Sequence, residues 1–211
     1  LRTLYGVADD RIELLYPPVD SRRFSPVGEA SRKALRRKYG FGNETVLLFP
    51  SSGHARKGLD LLSAAVQRSA ANLVLAVAGR PVGRPQPRVR ELGYVTAIEE
   101  LYRAADFTVL ASDYEPFGLV GIESVLCGTP LIFADSVGCL EVLDDAAVES
   151  FSRTDPASLD AAIERAIGRA DCGGGRLDEP RMLLRYDPSV ATHVASLVAI
   201  CRRILASRSE Q

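Results

Sequence analysis

The sequence predicts a doubly wound α/β fold, a Rossmann-like parallel sheet with helices on both faces. The first observation is a series of short, continuous apolar runs, each bounded by Gly, Pro, Ser or Asp. Such runs are typical of strands that are buried on both sides of a parallel sheet. The second observation is that segments with helical periodicity alternate with these runs, as crossover helices do. In this kind of fold, ligands bind at the carboxyl ends of the strands.

Five strands are predicted from the apolar runs. In chain order the runs lie at residues 45–49, 73–77, 89–94, 107–110 and 131–133, and the third of them is weaker than the others. Because the runs are continuous rather than alternating, we expect most of these strands to be buried on both faces.

Helical periodicity marks the intervening segments, including residues 61–66 and 98–105. Thr96 and Glu99 have the spacing of a capping box, in which two side chains bond to backbone N–H groups at a helix start. Asp155 and Asp187 each precede a proline, which is typical of an N-cap followed by Pro at the first helical position.

The two ends of the chain also carry helical patterns. A C-terminal helix is predicted over residues 187–211, with one apolar face that we expect to pack against another surface. This face contains Val190, Val194, Leu197, Val198, Cys201, Ile204 and Leu205. Residues 1–6 have the pattern of a helix end closed by Gly6, so we expect that a further domain precedes Leu1.

Composition restricts the class of protein. The chain has 211 residues, of which 46% are hydrophobic, enough for one substantial domain with a core. The net charge of −1, from 26 basic and 27 acidic residues, argues against a dedicated nucleic-acid-binding protein. The four cysteines show no C-x-x-C spacing, so we expect unpaired, buried thiols in a reducing cytoplasm.

A basic segment lies at residues 31–38, and two interpretations of it stay open. A basic helix can bind anionic lipid, which would place the protein at the inner face of a membrane. Its apolar side is thin, however, with only Ala34, Leu35 and Tyr39, and this favours a solvated face.

The most informative stretch of the chain is Glu115-Pro-Phe-Gly-Leu-Val-Gly-Ile-Glu123, which follows the fourth predicted strand. We expect Glu115 in the loop after this strand and a short helix over residues 119–126. Glu123 would lie on the same helix face as Leu119. A helix start binds phosphate through unpaired N–H groups, and flanking carboxylates accept hydrogen bonds from hydroxyls. This combination suits a nucleotide sugar, whereas the alternative is a pair of ordinary surface carboxylates.

A basic pair, Arg56 and Lys57, follows the first predicted strand after a short loop. Two cations at this position can neutralise a diphosphate and stabilise a departing nucleotide without a metal ion. The alternative is a pair of surface cations beside Asp60. His54 lies in the same loop, where a single histidine is more often incidental.

These motifs resemble the donor-binding half of retaining GT-B glycosyltransferases of family 4. The resemblance covers most of the chain. The segments that carry it occur in the order of the family: Tyr16-Pro-Pro-Val-Asp20, Arg23-Phe-Ser-Pro26, Arg56-Lys-Gly58, Gly93-Tyr-Val95, Leu101-Tyr-Arg-Ala-Ala-Asp106, Glu115 to Glu123, Cys127-Gly-Thr-Pro130 and Gly138 to Glu141. In one departure, Ser51 and Ser52 stand where many members carry a Gly-Arg pair before the lysine.

The resemblance implies roles for individual residues. Glu115, which would contact hydroxyls of the donor sugar, would form the catalytic group together with Arg56 and Lys57. Glu123 would bind the ribose hydroxyls. The other donor-binding positions are the backbone N–H groups of Gly118, Leu119 and Val120 at the diphosphate, and the backbone of Tyr94 and Val95 at the nucleobase. Where the sequence departs from the family, either Arg56 replaces the upstream arginine or the Ser51 and Ser52 hydroxyls contact phosphate directly. Glu141 matches a frequent acidic position, and an N-terminal acid on a short helix is an equal alternative. No metal and no cofactor are expected.

The resemblance further implies transfer of a hexose from a nucleoside-diphosphate sugar with retention of configuration, in the synthesis of surface polysaccharide, lipopolysaccharide or glycolipid. The expected partners are the donor, an N-terminal domain of the same enzyme and an acceptor sugar or lipid, but no nucleic acid. We expect one cytoplasmic domain over residues 1–211, with residues 1–26 leading into it. Two alternatives are a nucleotide-sugar-binding module without catalysis and a dinucleotide-dependent oxidoreductase. The lack of G-x-G-x-x-G after the first strand disfavours the oxidoreductase.

Overall fold

The structure, a computed structural model, describes residues 2–209, so Leu1, Glu210 and Gln211 lie outside the described residues. The chain divides into two compact units. One unit consists of Leu1–Ser21 and Tyr186–Gln211, and the other consists of Arg22–Arg185. The second unit contains the sheet and every candidate site residue.

The described strands are β1 (Thr45–Ser51), β2 (Leu73–Gly79), β3 (Val89–Gly93), β4 (Phe107–Leu110), β5 (Leu131–Ala134) and β6 (Val148–Phe151). The described α-helices are α1 (Arg2–Tyr5), α2 (Glu29–Lys38), α3 (His54–Lys57), α4 (Leu59–Arg68), α5 (Ile98–Ala104), α6 (Leu119–Leu126), α7 (Pro156–Arg169) and α8 (Val190–Ser209). Short 3₁₀ segments lie at Asp9–Arg11, Gly138–Val142, Asp145–Ala147 and Pro180–Leu183, and one π-helical turn lies at Ala170–Gly174.

The strands form one parallel sheet with the order β3-β2-β1-β4-β5-β6. β1 lies inside the sheet, and successive strands are added first on one side of it and then on the other. β1 pairs with β2 from Thr45 opposite Leu73, and with β4 from Leu47 opposite Phe107. The winding therefore reverses between β1 and β4, which is where doubly wound sheets bind their ligands. The predicted fold class is confirmed.

The core lies in the four inner strands, whose residues are almost all buried and mostly apolar. Phe49, Phe107 and Phe133 are among the largest fully buried side chains. Burying a side chain of this size contributes about 1.5–3 kcal/mol. α5 contacts both α2 and α6, whereas α4 contacts α7, so two separate groups of helices flank the sheet.

All five predicted strands are present, and β4 has the predicted bounds. β1 and β2 each extend two residues further, to Ser51 and Gly79. β6 is absent from the predicted strands, because Glu149 and Ser150 interrupt its apolar pattern. β6 is an edge strand that pairs with β5, and the Glu149 carboxylate forms ion pairs with two arginines of α7.

The helix starts were predicted less well than the strands. α5 begins after Ala97 without a side-chain cap, so the predicted capping box of Thr96 and Glu99 is wrong. The Glu99 carboxylate instead accepts a hydrogen bond from Arg23. For α7 the prediction is confirmed, because Asp155 caps the helix and Pro156 is its first residue.

The last helix also begins later than predicted, at Val190. The Asp187 carboxylate accepts from the backbone N–H of Ser189, and the Ser189 hydroxyl accepts from the backbone N–H of Thr192. Ser189 rather than Asp187 therefore caps α8. The apolar face predicted for this helix is exposed, with Val194 at 49% and Leu197 at 46% of full exposure, so the expected packing of that face is not seen in the described chain.

The basic residues of α2 divide into two groups. Arg32 and Arg36 both contact the Asp106 carboxylate, at 2.5 and 2.9 Å, and are mostly buried. Lys33 and Arg37 are exposed, which agrees with a solvated face. All four cysteines are unpaired thiols, but the prediction of buried thiols is right only for Cys127 and Cys139, because Cys172 and Cys201 are exposed. None of the described helices is both long and apolar enough to cross a membrane.

Candidate functional site

The basic pair and the acidic loop meet at the carboxyl ends of β1 and β4, where the winding of the sheet reverses. Two backbone hydrogen bonds join the segments that follow these strands. The N–H of Ala111 donates to the carbonyl of Lys57 at 3.1 Å, and the N–H of Asp113 donates to the carbonyl of Arg56 at 2.9 Å. Through these bonds, the residues that follow β4 hold the basic pair in place.

Gly58 permits this close approach. It lies between α3 and α4 with a φ of +79°, in the left-handed region. A Cβ at this position would lie 2.3 Å from the carbonyl oxygen of Ala111. Any other residue would push α3 away from the end of β4, so the Arg-Lys-Gly motif has a steric as well as an electrostatic basis.

Lys57 is a partly buried ammonium group that lies in the field of both predicted carboxylates. Its Nζ donates to the carbonyl of Pro50 at 3.2 Å. Burial lowers the pKa of Lys57, Glu115 opposes this effect, Arg56 lowers the pKa further, and Glu123 raises it. The site thus holds a cation that is incompletely solvated and that an anionic ligand would stabilise.

Arg56 is more exposed and links the basic pair to the acidic loop. Its Nη1 donates to the carbonyl of Tyr114 and lies 3.1 Å from Oε2 of Glu115. The Arg56 side chain is 48% exposed and that of Glu115 is 16% exposed. The two side chains assigned to phosphate and sugar are therefore ion-paired with each other across the site.

The loop that carries Glu115 is braced by the segment after β5. Glu115 forms an isolated parallel bridge with Val137, and the N–H of Gly138 donates to the Glu115 carbonyl at 3.0 Å. A Cβ on Gly138 would lie 2.0 Å from the carbonyl oxygen of Pro116. Glu141, three residues further along, is exposed. Val137 and Gly138 are supporting residues whose contacts the sequence analysis did not predict.

α6 begins immediately after this loop and has the predicted bounds. Gly118 precedes it with a φ of +88°, and no described side chain caps the helix. The backbone N–H groups of Gly118, Leu119 and Val120 are therefore at an uncapped helix start, and Leu119 is 39% exposed. This arrangement leaves orphan donors and the positive end of the helix dipole available for an anion.

Glu123 lies one turn further along α6 and is half-buried. Its Oε2 accepts a hydrogen bond of 2.9 Å from the phenol of Tyr102 on α5. Burial raises the pKa of Glu123, whereas the Tyr102 hydrogen bond and the nearby Arg23 and Lys57 lower it. The helical pattern of the sequence places Tyr102 among buried residues, where its hydroxyl needs a hydrogen-bond partner. The pattern does not identify Glu123 as that partner.

Ser51 and His54 hold the loop between β1 and α3. His54 Nε2 donates to the carbonyl of Arg80 at 2.8 Å. The other ring nitrogen, Nδ1, lies 3.1 Å from the Ser51 hydroxyl, which donates to it when the ring is neutral. Ser51 is buried, whereas Ser52 is exposed, so of the two serines Ser52 is the one open to a ligand. His54 is thus a structural residue of the loop.

Tyr94 and Val95 follow β3, which is separated from β1 by β2 in the sheet. Tyr94 is 73% exposed and Val95 is half-buried. Like the other candidates, they lie at the carboxyl ends of the strands, but they are away from the junction of β1 and β4. Among the described residues, no group of three or more His, Cys, Asp or Glu side chains is placed to hold a metal ion.

Comparison with known proteins identifies the family. Residues 44–169 match the family described as glycosyl transferases group 1. The chain is 47% identical over 213 residues to a probable transglycosylase of Burkholderia thailandensis, in an alignment that covers 99% of this chain and 58% of the relative. It is 32% identical to a D-inositol 3-phosphate glycosyltransferase of Geodermatophilus obscurus, over 96% of this chain and 50% of the relative. The chain therefore belongs to the group 1 glycosyltransferases.

A solved structure agrees with the fold. The HepE protein of Anabaena, in complex with UDP-glucose, superposes with a TM-score of 0.69 over 98% of this chain and 59% of HepE, at 21% sequence identity. At this identity the likeness concerns the fold alone. The chain spans 59% of the length of HepE, and 58% and 50% of the lengths of the two relatives named above.

Proposed function

We propose that this chain is the donor-binding domain of a glycosyltransferase that transfers a hexose from a nucleoside-diphosphate sugar to an acceptor with retention of configuration. The observation that carries the proposal is the junction of β1 and β4. There Lys57 and Arg56 face Glu115 across the point where the winding of the sheet reverses, and Arg56 lies 3.1 Å from the Glu115 carboxylate. A donor has complementary groups in the same order, an anionic diphosphate followed by a sugar with hydroxyl donors.

Each group at the site has a distinct part in this proposal. Lys57, Arg56 and the uncapped start of α6 bind the diphosphate and stabilise negative charge on the departing nucleotide. Glu115 accepts hydrogen bonds from the hexose, and Glu123 accepts them from the ribose. Because the basic pair supplies the positive charge, we propose that no metal ion is needed.

The comparisons support this proposal without extending to the acceptor. HepE has been solved with UDP-glucose, which makes a UDP-sugar the first candidate donor. The relative in Geodermatophilus obscurus is named for D-inositol 3-phosphate, whereas the acceptor proposed for this chain is a sugar or lipid in a pathway of surface-polysaccharide, lipopolysaccharide or glycolipid synthesis. We propose such a pathway for this protein, in the cytoplasm or at the inner face of a membrane.

A second candidate is a nucleotide-sugar-binding module without catalysis. A donor site must be closed by further groups that exclude water and position the acceptor, and this chain spans 58% of its Burkholderia relative. We therefore expect the 211-residue chain to bind donor but to transfer no sugar.

An oxidoreductase is disfavoured because Ser51-Ser-Gly-His54 stands where G-x-G-x-x-G would follow β1.

A thermal-shift panel tests the proposal. UDP, UDP-glucose, GDP-mannose and ADP-glucose would each be added to the chain in EDTA, with NAD as the control. We expect at least one nucleoside diphosphate or its sugar to raise the melting temperature by mass action, and NAD to leave it unchanged. Stabilisation by NAD alone, or stabilisation that is absent in EDTA and occurs only when Mg²⁺ is added in excess, would contradict the proposal.

A further inference from the structure

Tyr102 is a buried polar side chain whose surroundings hold it in place. It is fully buried in the unit that contains the sheet. Its ring packs against Phe24, with ring centroids 6.2 Å apart, and its backbone carbonyl accepts a hydrogen bond from the buried Thr129 hydroxyl. The hydroxyl of this buried phenol donates to the Glu123 carboxylate.

The hydrogen bond divides the Glu123 carboxylate into two unequal oxygens. Oε2 accepts from Tyr102 at 2.9 Å. Among the hydrogen bonds described for Glu123, this is the one that its side chain accepts, so Oε1 remains available to a ligand. Burial and Glu123 both raise the pKa of Tyr102, so the phenol keeps its proton and stays a donor. Burial raises the pKa of Glu123, and the Tyr102 hydrogen bond, Arg23 and Lys57 each oppose that rise.

We propose that Tyr102 is a positioning residue for ribose recognition, which fixes the Glu123 carboxylate so that its second oxygen accepts hydrogen bonds from the ribose hydroxyls of the donor. This inference rests on the proposed function, because it requires a nucleotide at the site. Tyr102 does not touch the ligand and acts through Glu123. Without the phenol, the carboxylate is able to rotate toward Lys57 or Arg23, the two cations in whose field it lies.

The experiment compares UDP with its 2′,3′-dideoxy analogue, which keeps the base and diphosphate but lacks both ribose hydroxyls. Calorimetry on the chain gives the ratio of the two dissociation constants. For the wild-type chain we expect UDP to bind at least about tenfold more tightly, the range of a hydrogen bond to a charged acceptor. For Tyr102→Phe we expect this preference to fall to about twofold or less, by the same arithmetic.

Tyr39→Phe is the matched control. The Tyr39 phenol also donates to a glutamate, Glu100 Oε2, at 2.6 Å, but it belongs to the segment after α2 and lies outside the candidate site. Each substitution removes one phenol hydroxyl from one carboxylate, and only Tyr102→Phe should change the preference for ribose. Since only folded protein binds either ligand, the ratio does not depend on how much of a variant is folded.

The possible outcomes separate the inference from the proposed function. A preference that survives in Tyr102→Phe would overturn the role of Tyr102 while the donor site stands. Equal binding of the two ligands by the wild-type chain would remove Glu123 from the ribose, and this inference with it, but would leave diphosphate binding intact. Failure of UDP to bind at all would overturn the role of Tyr102 in ribose recognition and also the proposal of a UDP-sugar donor.

Discussion

At the scale of single residues, Lys57 carries a charge where burial disfavours it. Its pKa is lowered, so the unfolded chain binds this proton more tightly than the folded chain does. The free energy of unfolding therefore rises as the pH increases from the lowered pKa of the folded chain to the ordinary pKa of lysine in the unfolded chain. The contribution of Lys57 to stability is smallest when the pH lies below both pKa values. A residue that costs stability in the absence of ligand is typical of a binding site.

The first prediction concerns Lys57→Met, which keeps the length of the side chain and removes the charge. Binding of UDP, measured by calorimetry, should weaken by about 1–3 kcal/mol, the range for a charge-assisted hydrogen bond. The free energy of unfolding in urea should be unchanged or higher at neutral pH, and its rise with alkaline pH should diminish. Lys33→Met, at an exposed position of α2, should change neither quantity. A large loss of stability together with unchanged UDP binding would make Lys57 a structural residue.

Glu115 is assigned to the sugar rather than to the nucleotide, and this assignment is separately testable. Glu115→Ala should leave the affinity for UDP nearly unchanged or slightly higher, because it frees Arg56 from its ion pair. It should remove the additional affinity that the hexose contributes to UDP-glucose. Calorimetry with the two ligands measures the difference, and Glu164→Ala, at an exposed position of α7, is the control. Equal losses for both ligands would place Glu115 on the phosphate side or in a structural role.

At the scale of elements, the sequence predicted β4 and α6, which flank the acidic loop, better than the elements around them. α6 and β4 have the predicted bounds because continuous apolar runs and glycine mark their ends. The wrong predictions have physical reasons. β6 is the last strand of the sheet, pairs only with β5 among the described strands and carries polar residues. The Glu99 carboxylate accepts a hydrogen bond from the distant Arg23 instead of capping its own helix. Neither the bracing of Glu115 by Gly138 nor the bond from Tyr102 to Glu123 follows from local patterns, since both join distant segments.

Gly58 gives a prediction at this scale, because it sets the distance between α3 and β4. Gly58→Ala should destabilise the chain by roughly 3 kcal/mol, since the new Cβ combines left-handed strain with a backbone clash. It should also weaken UDP binding by moving the basic pair. Gly53→Ala is the matched control in the same loop, because a Cβ there meets nothing within 4 Å. Urea unfolding would reveal the difference, and similar stability of the two variants would show that α3 can shift without cost.

At the scale of the whole molecule, the order of the sheet decides where a ligand is expected. Five predicted strands and their alternation with helices were enough to infer a doubly wound sheet, but the order of its strands required the structure. A concave region lies at the amino ends of the strands, lined by basic and acidic residues of α2 and by the start of β1. Two of its arginines, Arg32 and Arg36, are already bound to Asp106, so the donor is expected at the carboxyl ends of the strands instead.

The most direct test of the central claim is an assigned ¹H–¹⁵N spectrum of the chain titrated with UDP-glucose in EDTA. Amide shifts are expected to concentrate in residues 52–58 after β1 and residues 114–123 after β4, with further shifts at Tyr94 and Val95, which are expected at the nucleobase. Amides of residues 29–45, at the amino edge of the sheet, should change little. Shifts confined to residues 29–45, or no saturable shifts with any nucleoside-diphosphate sugar, would contradict the assignment of the donor site to the junction of β1 and β4.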